Sequence, residues 1–322
     1  MRYALGVDIG GTKVSLTLGN SCGRILAKKI LPTRTGQSFR LGIAEISSSL
    51  KELRLAAGKG KKIAGLGVGV PGPMNPYRGI VECSPHLSGW EGFPLKRFLE
   101  KELKLPAFLG NDADAAALGE RVFGAGRKVR NFIYLTISTG IGSGIILGGK
   151  LLLGASFGAG EAGHMIVCAG GERCGCGRRG CLEAYASGTA IARFVRKELV
   201  RGRASYIRKL TQAPQKVTAD IIAQAAKTND RLSLEAYRRA GYFLGIGLAN
   251  LINLLNPERL ILGGSIMKSS HLLWPAMTRS VREHAWPILY RACRIVKTDL
   301  GDQVGDLGAL ALVFADSGLS EI

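Results

Sequence analysis

His164 and three cysteines share one short segment, His164-x9-Cys174-x-Cys176-x4-Cys181, with Gly175, Gly177 and Gly180 threaded among them. Three thiolates and an imidazole are the donor set of a closed tetrahedral Zn2+ site, and four protein ligands leave no position for a catalytic water. A metal here would be architectural, locking the loop that carries Glu161, His164 and Glu183. Cys168 is nearer to His164 in sequence and stays open as an alternative ligand, while Cys22, Cys83 and Cys293 read as reduced and structural. A second chemistry is written in Asp8-Ile-Gly-Gly-Thr-Lys13. It has the spacing of neither a P-loop nor a Rossmann turn, and strand-like residues follow it, so no helix N-terminus is on offer. Gly10 and Gly11 still let backbone N–H groups approach a phosphate, Thr12 and Lys13 add donors, and Asp8 can hold Mg2+ through water. Ser138-Thr-Gly-Ile-Gly-Ser143 offers the same chemistry again, and two such turns favour a phosphate clamp. Asn111-Asp112 reads either as a helix N-cap or as a functional pair.

The elements that must position these residues follow from periodicity and turn residues. Tyr3 to Ile9, Val14 to Leu18 and Arg24 to Ile30 predict a β-meander with turns at Gly10-Gly11 and Gly19 to Gly23. A helix is expected over Arg40 to Ala56, a strand over Ile63 to Val70, an irregular connection over Pro71 to Gly92, and a helix over Leu95 to Glu102. A short strand, Ala107 to Leu109, leads into a helix from Asn111-Asp112 through Phe123. The pattern then repeats in type: strand Phe132 to Ile137, turn Ser138 to Ser143, strand Gly144 to Leu147. A long helix is expected over Leu234 to Leu255, a strand over Arg259 to Leu262 ending in Gly263-Gly264, and a last helix over Gly305 to Phe314. Two halves that each open with a Gly- and Thr-rich hairpin imply a two-lobed α/β protein. The expected boundary lies near Leu118: a small lobe over 1–118, a large lobe with the metal site over 119–304, and the helix in 305–322 packing back on the first lobe.

Composition excludes other classes. The 322 residues are 46% hydrophobic and 21% charged, with 45 glycines in no G-X-Y period, which rules out a disulfide-stapled mini-domain, a fibrous protein and a disordered tail. Met1 to Val7 does not read as a signal peptide, and the most apolar stretch, Gly241 to Leu255, falls short of the ~18 residues a membrane span needs. A soluble, cytoplasmic chain is expected. The net charge of +20 favours anions in general. Its densest stretch, Arg193 to Lys209, reads as a solvated helix face, because no aromatics interleave at stacking intervals as in a nucleic-acid surface.

The motifs Asp8-Ile-Gly-Gly-Thr-Lys13, Gly69-Val-Pro-Gly-Pro73, Asn111-Asp112, Gly160-Glu-Ala-Gly-His164 and Cys174-Gly-Cys-Gly-Arg-Arg-Gly-Cys-Leu-Glu183 occur in this order. From about Tyr3 to Phe314 the chain resembles the ROK family (repressors, open reading frames and sugar kinases), and the cysteine signature is the most specific part of the likeness. The resemblance implies a pair of ribonuclease-H-like, actin- and hexokinase-like lobes with sugar and nucleotide in a central cleft. It gives Asp112 the role of catalytic base and Asn111, Glu161, His164 and Glu183 hydrogen bonds to the sugar, with His164 also a zinc ligand. Asp8, Gly10, Gly11, Thr12 and Lys13 match the first phosphate segment. Thr139, Gly140, Gly142 and Gly144 match the second, and Gly263 and Gly264 the adenosine-side turn. It further implies ATP, Mg2+ and structural Zn2+, no nucleic-acid or membrane partner, and a homodimer or homotetramer. Glucose 6-phosphorylation is the expected activity, with N-acetylmannosamine, N-acetylglucosamine or another hexose as alternative substrates. Polyphosphate-using relatives generally lack the cysteine cluster, which favours ATP as donor. The family's repressors carry a helix-turn-helix ahead of the first motif, whereas seven residues precede Asp8 here, so an enzyme is expected over a regulator. One departure stands out: His86 occupies a position where the family's glucokinases usually have Asn.

Overall fold

The computed structural model describes residues 1–56, 58, 61–72, 74–81 and 87–315. The expectations attached to Pro73, Cys83 and His86 lie outside the described residues. Strand β1 (Tyr3–Ile9) runs antiparallel to β2 (Lys13–Asn20), which runs antiparallel to β3 (Ile25–Pro32). Strand β4 (Ile63–Val70) lies parallel to β1, with β5 (Met74–Asn75) and β6 (Ile80–Val81) forming a small separate hairpin. Strand β7 (Ala107–Asn111) lies parallel to β4, completing the order β3-β2-β1-β4-β7. The second sheet contains β8 (Phe132–Ile137), β9 (Ile141–Leu147), β10 (Lys150–Leu151), β11 (Arg259–Gly263) and β12 (Arg294–Lys297), in the order β10-β9-β8-β11-β12. The α-helices among the described residues begin with α1 (Phe39–Ala56), α2 (Leu95–Leu103), α3 (Asp112–Phe123), the four-residue α4 (Glu183–Ala186) and α5 (Gly188–Val200). Then follow α6 (Ile207–Leu210), α7 (Ala219–Ala226), α8 (Arg231–Leu255), α9 (Ser270–His284), α10 (Pro287–Ala292) and α11 (Val304–Phe314).

The chain forms two units, Met1–Tyr134 with Gly144–Gly160 and Thr298–Ile322, and Leu135–Ser143 with Glu161–Lys297. In the first unit β1 and β4 are almost wholly buried, as parallel central strands covered on both faces must be, while β3 alternates between half-buried and exposed as an edge strand. Leu5, Val7 and Val68 of the sheet pack with Ile46 and Leu50 of α1 and with Trp90. Helix α11 lies directly on β1 and β4: a Cβ on Gly67 would stand 1.8 Å from the Ala309 carbonyl oxygen, so only glycine permits the approach. It also packs closely on α3, where a Cβ on Gly308 would stand 2.7 Å from the Ala115 oxygen. In the second unit α8 and α9 cross at small residues, where a Cβ on Gly241 would come within 2.4 Å of the Leu273 oxygen. Among the described residues no helix is long and apolar enough to cross a membrane. One turn differs from expectation: β9 begins at Ile141 rather than Gly144, because Ser138 N–H reaches the Gly140 carbonyl at 2.9 Å and closes the hairpin in three residues.

Candidate functional site

In the first unit β1 delivers Asp8 to the edge of a glycine hairpin. Gly10 N–H donates to the Lys13 carbonyl at 2.9 Å, and Thr33 clasps the tip, its hydroxyl on the Gly10 oxygen at 2.6 Å and its N–H on the Thr12 oxygen at 3.0 Å. Gly11, Thr12 and Lys13 are exposed there. Strand β7 ends in Asn111, which caps α3: its Oδ1 accepts from Ala113 N at 2.8 Å and Asp114 N at 3.4 Å, and its Nδ2 donates to Gly72 O at 3.1 Å. The N-cap reading of Asn111 therefore holds, and capping is also what presents Asp112 as the first helical residue, its Oδ1 taking the Ala113 N–H at 2.9 Å.

These two edges meet at Gly69, which pairs with Asp8 across β1 and β4. A Cβ on Gly69 would stand 3.7 Å from Asp8 Oδ1 and 3.7 Å from Asp112 Cα, so the two acids border one small space. Helix α11 closes it from behind, where a Cβ on Gly305 would lie 2.2 Å from Asp8 Oδ2. The next residue, Asp306, is 3% exposed; it accepts from Ser15 Oγ at 2.5 Å and from Lys28 Nζ at 2.5 Å. Burial, then the charges of Asp112 and Asp306, push the Asp8 carboxyl up to about 6, against the pull of Lys13 and Lys28. A carboxylate held among other carboxylates beside exposed N–H donors fits a cation that arrives with a phosphate. Asp306 and Lys28 escaped the sequence reading, although Asp306 is the one charge in an otherwise apolar helix, and that was the available signal.

In the second unit the loop through the cysteines folds on itself. Ile166 bridges to Cys181, Leu182 N–H reaches the Met165 oxygen at 2.9 Å, and Val167 N–H reaches the Gly180 oxygen at 2.8 Å. Gly180, at φ 84°, could carry no side chain there, because a Cβ would meet the Cys168 oxygen at 2.0 Å. The result gathers His164, Cys174, Cys176 and Cys181 so that their ligand atoms all lie within 4.8 Å of one another. Cys176 Sγ and Cys181 Sγ are 3.7 Å apart, and Cys174 Sγ and His164 Nδ1 3.8 Å. Ligands ~2.3 Å from a central metal span tetrahedral edges of about 3.8 Å, so the donors fit zinc in kind and spacing. Burial pushes the Cys174 thiol up to about 12 and raises that of Cys181, whereas a backbone N–H at Arg178 lowers that of Cys176; a metal would displace these protons. Cys168 is outside the group, its sulfur turned toward Gly171 beneath Tyr185. Tyr185 stacks on Phe243 with ring centroids 4.0 Å apart, and Arg239 lies over Tyr185, Phe194 and Phe243, fixing the loop to α8 and α5.

The same unit brings Glu183 and the Gly263-Gly264 turn to the β8–β9 hairpin, and Glu161 to His164. Glu183 Oε2 accepts the Ile141 N–H at 2.9 Å, and its Oε1 faces Cys174 Sγ at 3.6 Å. Glu161 lies 3.9 Å from His164 Nε2, on the ring nitrogen opposite the cysteines. Gly264, at φ 93°, backs onto Ile137, and Ser265 N–H donates to Ser138 Oγ at 3.0 Å, so the Gly263-Gly264 turn and the hairpin are neighbours. Gly144 belongs to the first unit and packs on α3, where a Cβ would come 2.7 Å from the Ala113 oxygen. The basic stretch turns inward more than its composition implies: Arg193 donates to Ala184 O at 2.6 Å, Arg196 to Val217 O at 2.6 Å and Arg208 to Leu199 O at 2.6 Å, while Arg201 pairs with Glu198 at 2.7 Å.

Known proteins give this arrangement a context. A glucokinase of Thermotoga maritima is 35% identical over 309 residues, covering 96% of both chains. A xylose repressor of Caldicellulosiruptor bescii is 32% identical over 97% of this chain and 78% of its own length. Among solved structures, a Streptomyces griseus ROK family glucokinase in complex with glucose and AMPPNP superposes with a TM-score of 0.79 at 32% identity, covering 95% of this chain and 97% of that one. The ROK family profile matches residues 4–316, and the α/β fold with its cysteine cluster agrees with it: the chain belongs to the ROK family.

Proposed function

We propose that the chain is an ATP-dependent sugar kinase that phosphorylates the 6-hydroxyl of a hexose, with glucose the first candidate, acting in the cytoplasm as a homodimer or homotetramer. The observation that carries this reading is the meeting of Asp8 and Asp112 at Gly69, beside an exposed glycine hairpin: a candidate base next to a candidate cation-phosphate holder. The glucokinase relatives support it. Asp112 takes the proton of the attacking hydroxyl as its oxygen bonds to the γ-phosphorus; the bond from that phosphorus to the β-bridging oxygen breaks, ADP leaves, and the proton passes from Asp112 to solvent. Asn111, Glu161, His164 and Glu183 orient the sugar, and a site of paired polar groups disfavours analogues that lack a hydroxyl. Gly10 to Lys13, Thr139, Gly140, Gly142 and Gly144 are assigned to the phosphates and Gly263-Gly264 to the adenosine side. Mg2+, when present, would neutralise charge on the transferring phosphates, with Asp8 holding it through water. Zn2+ on His164, Cys174, Cys176 and Cys181 would serve the loop rather than the reaction.

The test is ADP release with Mg-ATP across glucose, mannose, fructose, allose, N-acetylglucosamine and N-acetylmannosamine. Preference for glucose supports the full reading; preference for an acetylated sugar keeps the kinase and moves the substrate; no turnover on any sugar overturns it. The xylose repressor match favours a second reading, a sugar-responsive regulator, for which tight sequence-specific DNA binding in a gel shift is the measurement.

A further inference from the structure

Glu183 has two ends in two different places. Its Oε2 holds the Ile141 N–H at 2.9 Å, and its Oε1 sits 3.6 Å from Cys174 Sγ, so one carboxylate touches both the β8–β9 hairpin and the cysteine cluster. The contact is built into the hairpin, because a Cβ on Gly140 would stand 2.6 Å from Glu183 Oε2; the tip is glycine where the carboxylate rests. The next peptide, Ile141–Gly142, is covered as well. A Cβ on Gly163 would stand 2.1 Å from the Ile141 oxygen, so the turn that ends in His164 presses on Ile141 from the other direction. Ile141 is thus gripped between two segments, each tied by the chain itself to a candidate metal ligand: Gly163 next to His164, and Glu183 two residues after Cys181.

We propose that Glu183 is a strut between the cysteine cluster and the hairpin, through which metal held by the cluster sets the hairpin's affinity for nucleotide phosphates. The inference rests on the reading of Thr139 to Gly144 as a phosphate segment. The physical reason is entropic. A tip containing Gly140 and Gly142 samples many conformations, and a phosphate can use its N–H groups only after they are oriented. With the Ile141 N–H taken by Glu183, the Gly140–Ile141 peptide plane is fixed in advance. A metal that ties His164 to the three cysteines holds both jaws of the grip in place; without it, the segments carrying Gly163 and Glu183 move independently.

The experiment measures Mg-ADP binding by calorimetry, without sugar, so that sugar contacts of Glu183 do not enter. The proteins are the zinc-loaded wild type, Cys176→Ser, Glu183→Ala and the double variant, with zinc content determined for each. Cys176 is an exposed member of the cluster, with its sulfur 3.7 Å from Cys181, which makes it a way to remove metal at a distance from Glu183. The expected result is that Cys176→Ser loses zinc, that Glu183→Ala keeps about one zinc per chain, that each weakens Mg-ADP about tenfold, and that the double variant is no weaker than either. Hydrogen exchange of the peptide spanning 138–144 should rise in both single variants to the same extent. Additive losses, or a zinc-free Cys176→Ser that binds Mg-ADP like the wild type with unchanged exchange, overturn the strut while leaving the nucleotide reading intact. A wild type that binds no Mg-ADP overturns the nucleotide reading and the strut with it.

Discussion

Burial and the negative charges of Asp112 and Asp306 hold the Asp8 carboxyl at about 6, well above its ordinary 3.8. The folded state therefore binds this proton more tightly than the unfolded chain does. The corresponding stability is fully present below pH ~4 and is lost as pH rises through about 6. At about 1.4 kcal/mol for each unit, ionised Asp8 costs up to about 3 kcal/mol at pH 8. Asp8→Asn should therefore melt higher than the wild type at pH 8, with the gap falling to about half near pH ~5 and closing near pH ~4, while phosphoryl transfer is lost; a variant less stable than wild type at pH 8 contradicts the account. Asp112 differs in kind. Asp112→Asn should lower kcat by about two to four orders of magnitude with sugar affinity kept, as loss of a base does, and wild-type turnover would remove its role. Asp112 was legible in the sequence only in company, because Asn111-Asp112 alone is a helix cap. Asp306 was legible only as a lone charge in an apolar helix; its partners were not, because Ser15 and Lys28 reach it from strands far away in the chain.

The hairpins, the long α8 and the strands β1 and β4 could be read from periodicity and glycine placement, since each is a local pattern of residues that repeats at the period of its element. What periodicity cannot carry is why a strand is small on one face. Gly67 looks like a weakness in β4 until α11, from the other end of the chain, is found resting on it. Gly67→Ala should cost about 3 kcal/mol or more, at the top of the range for overpacking, measured by denaturant unfolding. The clustering of His164 with Cys174, Cys176 and Cys181 was legible, because thiol spacing is itself the signal, but the supports of the loop were not. Tyr185, Phe243 and Arg239 stack only because α4 and α8 are adjacent. Zinc removal by Cys176→Ser or by chelation should lower the melting temperature and expose the 164–181 loop to protease, since a structural metal contributes folding free energy; metal-free wild type of equal stability would end the zinc assignment.

At the scale of the whole chain, the first unit is assembled from three separate stretches, and its last stretch, Thr298–Ile322, arrives only after the second unit has been made. That stretch is not an ornament. Helix α11 buries Leu307, Leu310 and Leu312 at 4% exposure or less, supplies Asp306 beneath Ser15 and Lys28, and is anchored ahead of its start by the Thr298 hydroxyl donating to the buried Glu120. Three buried leucines alone are worth roughly 5–9 kcal/mol of transfer free energy, comparable with the 5–15 kcal/mol by which a typical protein is stable. Removing the stretch would also uncover the glycine faces of β4 and α3 that accept the helix. A chain ended at Lys297 should therefore lose the cooperative unfolding of the first unit: amides of β1, β2 and β4 should exchange rapidly and the Asp8–Asp112 edge should not form. The Glu161–Lys297 segment, whose α8–α9 packing and cysteine loop lie entirely within it, should keep its protection. Equal protection of β1 and β4 in the truncated and full chains would show that the first unit closes its core without α11, and would leave Gly67 and Gly308 without a physical reason.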